Sequence, residues 1–334
     1  MTLIVDWENH WLPKELFDHP EQMMRKEREE WVRQKGASEW ESIDLMRCDR
    51  SVYPVARIFS DLEERIKKMD EAGVTVALLS LGLWHWYLDL ETAKFVNDEM
   101  ARVQNRYDGR LLGMAHVPPL DPGAPAEVER AVTKLGLKAV NMLTHWDGIY
   151  LDQEPFRPLL DKVHELDVPI FIHAAPTMAE PFAKAYAEFN FPRSTHKSFD
   201  RWISCLRIFY SGMLRRYPKL TIVHSHVGGF ISHNITQMRH RIERMQSGSE
   251  EPLQFEERWL EQMYYDTAST NWNLKPLMNM AFQTIGADHL VFASDWPGGP
   301  THFLESVARI RNVDVGEESK EKVFGSNSRK ILKL

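Results

Sequence analysis

The chain has 334 residues, 41 Lys and Arg against 48 Asp and Glu, a formal net charge of -7, and is 43% hydrophobic and 27% charged. That balance suits a globular enzyme of one large or two smaller α/β domains and disfavours a nucleic-acid partner. Two cysteines, Cys48 and Cys205, offer no disulfide framework, and neither a signal peptide nor an apolar run of about 18 residues is present, so a cytoplasmic protein without membrane contact is expected.

The first apolar run, Leu3–Trp7, reads as a buried strand leading into Glu8-Asn9-His10. Side chains alternate along a strand, so Glu8 and His10 point the same way. About fifty residues separate it from the next regular element, including EQMMRKEREEWVRQKG at 21–36, expected to be a solvated helix face. A helix over Asp61–Ala72 and a strand over Val74–Leu81 follow, then LGLWHWYLD at 81–89, a helix over Leu90–Arg106, a strand over Leu111–Val117 and a helix over Ala126–Lys134. The strand Ala139–Leu143 runs into THWDG, the helix Pro155–Leu166 follows, and the strand Pro169–Ala174 ends in FIHAAP with His173. After the long connection 176–200 come a helix over Trp202–Arg215, a strand over Leu220–His226 carrying His224 and His226, and strands over Tyr264–Ala268 and Leu290–Ser294, the last followed by Asp295 in SDWPGG.

Eight strands alternating with helices pair in parallel through right-handed crossovers, and eight is the number that closes an α/β barrel of the (β/α)8 TIM type. A doubly wound open sheet would want a glycine-rich phosphate loop after an early strand, and VDWENHW is no such loop. The long segments after strands one and five leave the ends where barrel enzymes keep their sites, so they are expected to be lid insertions. No repeat or linker divides the chain, and a single domain over residues 1–334 is expected.

Acids and imidazoles gather at the carboxyl ends of strands one, five, six and eight: Glu8, His10, His173, His224, His226 and Asp295. In a barrel those ends converge on one axis. Carboxylates and imidazoles are the ligands of a borderline divalent ion, and Glu8, His10, His173 and Asp295 would hold one metal and leave room for water or substrate. Zinc is the first expectation and manganese the second, because a carboxylate in place of an imidazole makes the ion a weaker Lewis acid and favours a harder cation. Arg57 and His145 are candidates for binding a substrate carboxylate. Trp84, Trp86, Tyr186 and Trp272, with His85, would wall an aromatic ring or give it a hydroxyl donor.

DWENH, FIHAAP, HSHVGG and SDWPGG as a set resemble the amidohydrolase superfamily, and within it the amidohydrolase-2 branch that includes aminocarboxymuconate-semialdehyde decarboxylase and decarboxylases of hydroxylated aromatic acids. The resemblance runs end to end. It implies a barrel with one catalytic metal, with Glu8-Asn9-His10 in place of the usual H-x-H, His173 and Asp295 as further ligands, Asp295 also handling a proton, and His226 as acid or base. His224 has no counterpart in that pattern; it is a catalytic or a supporting residue. The bridging carboxylated lysine of binuclear members is absent from strand four, where Asn141 stands, which implies a single ion. Relatives commonly form homodimers, and the same is expected here.

Two reactions suit such a site. The first expectation is hydrolysis of a C–C bond next to a carbonyl in a ring-fission dienoate, since the size and motif set also resemble a meta-cleavage-product hydrolase of lignin-derived aromatic catabolism; a metal would lower the pKa of bound water toward ~7. The alternative is non-oxidative decarboxylation of a hydroxylated aromatic acid. Glu8 resembles the decarboxylases, whereas Ser225-His226-Val227-Gly228-Gly229 lacks the glutamate that ends their G-H-M-G-E motif.

Overall fold

The computed structural model describes residues 3–18, 46–48, 51–53, 57–176, 179, 184, 188, 193–248, 259–268, 275–298 and 303–334. Strands covered on both faces read as nearly continuous apolar runs, and the eight runs found in the sequence become eight parallel strands. They are β1 Val5–His10, β2 Val76–Ser80, β3 Leu111–Ala115, β4 Ala139–Leu143, β5 Ile170–His173, β6 Ile222–His224, β7 Met263–Asp266 and β8 Leu290–Val291, paired in that order. The last meets the first through backbone bonds: Trp7 N donates to Phe292 O at 3.0 Å, Asp295 N to Glu8 O at 2.9 Å and His10 N to Trp296 O at 2.8 Å. The result is the expected (β/α)8 barrel.

Two apolar layers follow from strand alternation. Val5, Trp7, Leu78, Leu112, Met114, Phe171, Val223, Tyr264 and Val291 form the inner cluster. Their neighbours Ala77, Leu79, Val140, Met142, Ile170, Ile172 and Ile222 pack outward against the helices. Around the barrel run α1 Leu62–Ala72, α2 Leu90–Arg106, α3 Ala124–Thr133, α4 Arg157–Leu166, α5 Arg193–Tyr210, α6 Ile231–Gln246, α7 Lys275–Thr284 and α8 Phe303–Arg311. Asp61 caps α1 by accepting from Glu64 N at 2.9 Å, and Asp89 caps α2 by accepting from Thr92 N at 2.7 Å. No helix among the described residues is long and apolar enough to cross a membrane.

Strand β1 departs from simple alternation. Val5 and Asp6 pair with Val76 and Ala77, but Asn9 and His10 pair with Leu79 and Ser80, so Trp7 and Glu8 together face the single residue Leu78. This is a bulge: one extra residue lets both Trp7 and Glu8 turn inward. Without it, the register that buries Val5 and Trp7 inside the barrel would send Glu8 and His10 to the outer face.

Several boundaries correct the sequence reading. β1 runs to His10, so Glu8 and His10 belong to the strand instead of following it. β6 ends at His224, and His226 enters through a turn in which His226 and Val227 have φ of 51° and 53°. The expected Trp202–Arg215 helix starts earlier, at Arg193, and breaks at Gly212 before a short turn over Met213–Arg216. Of the two insertions expected to act as lids, the first shows, among the described residues, a turn over Glu15–Asp18 and a hairpin of Met46–Cys48 with Ser51–Tyr53. The charged stretch 21–36 and most of 177–192 lie outside the described residues.

The seam between β1 and the segment after β8 depends on Asp6, which accepts from Ser294 N at 2.9 Å and Ser294 Oγ at 2.6 Å. Ser294→Ala leaves a buried carboxylate oxygen with one donor fewer, a loss of about 1–3 kcal/mol. Thermal unfolding should show a lower midpoint for the variant, and an unchanged midpoint would remove Asp6 from the closure.

Candidate metal centre

The carboxylate of Glu8 lies at the centre of the carboxyl-terminal mouth, fully buried. Three imidazoles and a second carboxylate surround it. His173 Nε2 is 3.3 Å and His10 Nε2 3.9 Å from Oε1, and His226 Nε2 is 3.0 Å from Oε2. Asp295 closes the ring, with Oδ1 3.0 Å from His10 Nε2 and Oδ2 3.7 Å from His226 Nε2. None of these approaches to Glu8 has hydrogen-bond geometry, and among the described residues neither of its oxygens has a hydrogen-bond partner. A buried carboxylate without donors is costly unless a cation sits beside it.

Tautomer logic points the same way. His173 Nδ1 lies 2.8 Å from Ala174 O, which can only accept, so Nδ1 carries the hydrogen and a neutral ring presents a lone pair at Nε2 toward Glu8. Lone pairs from two side chains face each other across 3.3 Å, an arrangement suited to a cation. Donor atoms of Glu8, His10 and His173, and of Glu8, His226 and Asp295, lie within 4.8 Å of one another in each trio. The residues present therefore fit a divalent ion, and His226, expected only as an acid or base, joins the donor cluster.

Backbone packing aims these groups. The His10 Nδ1 meets Ser80 Oγ at 3.2 Å, and its ring lies so close to Gly82 that a Cβ there would sit 2.8 Å from ring atoms. His226 is swung inward by its left-handed turn, whose amide donates to Asp266 Oδ1 at 2.7 Å. On the outer face of β1, Arg65 is completely buried; it donates to His10 O at 2.7 Å, Phe59 O at 3.2 Å and Asn9 Oδ1, and stacks 4.5 Å over Trp296. Asn9 in turn donates to Asp6 Oδ2 at 2.8 Å. One cation thus ties the strand bearing Glu8 and His10 to the turn bearing Asp295.

Burial, and then the nearby Asp295 charge, push Glu8 up to about 8. Burial works against ionisation at Asp295 too, but the His10 hydrogen bond and the His226 ring hold its carboxyl below the usual range. Burial, and then Arg201, push His226 down to about 3, and burial followed by His10 puts His173 well below its ordinary value. His226 and His173 are therefore neutral near pH 7, the form in which an imidazole donates to a metal.

The remaining sequence candidates divide. His224 is buried on the opposite face of β6 from Val223 and belongs to neither donor trio. His145 turns to Asp200, with Nε2 3.6 Å from Oδ1, where Tyr150 Oη donates at 3.3 Å and Thr144 Oγ1 donates to Oδ2. Trp86 stacks on Trp146 at 5.5 Å and meets the edge of His145, so it walls this second cluster. Trp84 is buried in the same turn, Gly82–Tyr87, and His85 bonds Asn141 Nδ2 at 2.9 Å. Arg57 begins a turn over Arg57–Phe59, and its side chain, like Tyr186 and Trp272, lies outside the described residues. Sequence reasoning missed Asp266, taken as strand interior, and Arg201 on α5. The signal for Arg201 was available: it lies four residues before Cys205 on the buried helix face, where an apolar residue is the rule.

The amidohydrolase family description matches residues 5–334. The chain is 25% identical over 295 residues to gamma-resorcylate decarboxylase of Polaromonas sp. strain JS666, covering 84% of this chain and 89% of that one. Among solved structures, 5-carboxyvanillate decarboxylase from Sphingomonas paucimobilis matches with a TM-score of 0.78 at 20% identity over 100% of both chains. The same enzyme type from Novosphingobium aromaticivorans, complexed with manganese and 4-hydroxy-3-methoxy-5-nitrobenzoic acid, matches with a TM-score of 0.75 at 24% identity over 99% of this chain and 96% of that one. These relatives overturn the first expectation, hydrolysis of a C–C bond in a ring-fission product, because the reaction they carry in common is decarboxylation.

His173→Ala removes one donor from the cluster and should weaken divalent-ion affinity by more than the roughly 100-fold cost of losing a supporting contact. Chelator competition measures it; parent-like affinity in His173→Ala would place the ion elsewhere.

Proposed function

Since the chain belongs to the amidohydrolase family, we propose that it is a divalent-metal-dependent decarboxylase of a hydroxylated aromatic carboxylic acid. Similarity to decarboxylases over most of its length carries the reading, and the buried acid–imidazole cluster supports it. Glu8, His10, His173 and Asp295 are the proposed ligands. Two carboxylates among them, and the manganese of the Novosphingobium structure, favour manganese over the zinc expected from sequence. The ion, when bound, supplies positive charge for the substrate's carboxylate and adjacent phenolate oxygen.

The chain's own groups manage the proton. Asp295 Oδ2 lies 3.7 Å from His226 Nε2, and this pair holds the proton that a substrate phenol gives up on binding. An arriving anion raises the Asp295 pKa and so favours its protonated form. Asp295 then delivers the proton to the ring carbon bearing the carboxylate. The bond from that carbon to the carboxylate breaks, its electron pair restores the aromatic ring, and carbon dioxide leaves. Position 229 cannot contribute a glutamate, because a Cβ there would run into the Ser198 carbonyl of α5. Proton transfer in this chain therefore rests on Asp295 and His226.

Incubation with hydroxylated benzoates should release carbon dioxide and one phenol in equal amounts. Asp295→Asn should keep folding and lower turnover by about 10²–10⁴-fold. Two organic fragments formed with uptake of water would refute decarboxylation.

A further inference from the structure

Helix α5 carries a second buried carboxylate, Asp200, for which the proton chemistry has no use. Both of its oxygens are engaged by the segment after β4: Tyr150 Oη donates to Oδ1 at 3.3 Å, and Thr144 Oγ1 donates to Oδ2. Gly148 N donates to His145 Nδ1 at 3.2 Å, so the ring hydrogen is on Nε2, 3.6 Å from Oδ1. A carboxylate with a donor on each oxygen is already satisfied, and its role follows from what those donors touch.

Thr144 leads from Asp200 to the donor cluster. Its Oγ1 accepts from Ala175 N at 2.9 Å while donating to Asp200, and its own amide donates to His173 O at 2.9 Å. The Ala175 N–H belongs to the same peptide unit as the Ala174 carbonyl, and that carbonyl lies 2.8 Å from His173 Nδ1. Hydrogen bonds therefore run unbroken from the His173 ring, through this peptide and the Thr144 hydroxyl, to the Asp200 carboxylate. Every hydrogen in the series points toward Asp200, and bonds aligned in this way polarise and strengthen one another. We infer that Asp200, acting through Thr144, is a positioning residue for His173. It holds the 174–175 peptide so that its carbonyl fixes the ring with the Nε2 lone pair toward Glu8, and it makes that nitrogen a stronger donor. A metal-binding histidine usually gives its other N–H to a carboxylate or a backbone carbonyl; here a distant carboxylate reinforces the carbonyl. The inference rests on His173 being a ligand, as proposed above, and adds the residues that aim it.

The test is manganese affinity, measured by chelator competition with and without His173. T144V removes the hydroxyl at nearly constant volume and should weaken affinity about 10–100-fold. T144S, which restores the hydroxyl, should stay within about twofold of the parent. D200N keeps an oxygen acceptor for Thr144 but loses the charge, and should weaken affinity about 10-fold. In the His173→Ala background T144V and D200N should each change affinity by less than about twofold, because the ring they orient is gone. A substitution that merely loosens the fold would cost the same in both backgrounds. Parent-like affinity in T144V or D200N, or an equal loss with and without His173, overturns the inference; should T144V fail to fold, D200N alone decides. If His173→Ala itself binds manganese as the parent does, the ligand assignment fails and this inference with it. If His173→Ala loses affinity and T144V does not, the ligand assignment stands and the Thr144–Asp200 chain alone fails.

Discussion

The arrangement depends on one carboxylate placed where water cannot reach it and no donor meets it. Glu8 is buried at the mouth of the barrel with imidazole nitrogens 3.0 and 3.3 Å away and no hydrogen bond to either oxygen among the described residues. In the free chain such a group is pushed up to about 8 by burial and by Asp295, and the protein tolerates it only because the surrounding fold is held firmly. The same field that is unfavourable for an isolated acid is a strong attraction for a small divalent ion.

What holds Glu8 there is the β1 bulge together with the closure of the barrel. The bulge lets Trp7 fill the inner core while Glu8 and His10 face the mouth. Behind them, Asp6, Asn9, Ser294 and Arg65 form a buried polar chain across the seam between β1 and the segment after β8. Burial pushes Asp6 up to about 6 and Arg65 down to about 9, costs that are offset by the backbone amides, hydroxyl and carbonyls they satisfy. Donors from opposite ends of the sequence are thereby held on one rigid frame, as a metal site requires.

Much of this was legible in the sequence. Alternating apolar runs and helical spacing fixed the order of all eight strands, because parallel strands covered on both sides leave a strong local signal. The acids and histidines at strand ends could be found by position alone. What could not be read was any departure from regular geometry. A bulge changes which way a side chain points without altering the pattern that predicts the strand, and His226 reaches Glu8 only through a left-handed turn at 226–227. His224, two residues earlier, looked equivalent for the same reason and faces the other way. Arg201 stands out as a charge on the buried face of α5, but its place against Ser225, like that of Asp266 at the end of β7, comes from long-range packing. The choice of reaction was misread because hydrolysis and decarboxylation ask for the same first set of ligands.

The segment Ser225–Gly229 separates this chain from the motif it resembles. Where the resembled motif would end in a glutamate, Gly229 lies against the Ser198 carbonyl of α5, and Arg201 of the same helix donates to Ser225 Oγ. The most direct test of the central claim is anomalous scattering at the manganese edge from crystals soaked in that ion. The account predicts one peak per chain, within coordination distance of Glu8, His10, His173 and Asp295. A mouth without a peak, with Glu8 hydrogen-bonded to protein or water in place of an ion, would contradict it.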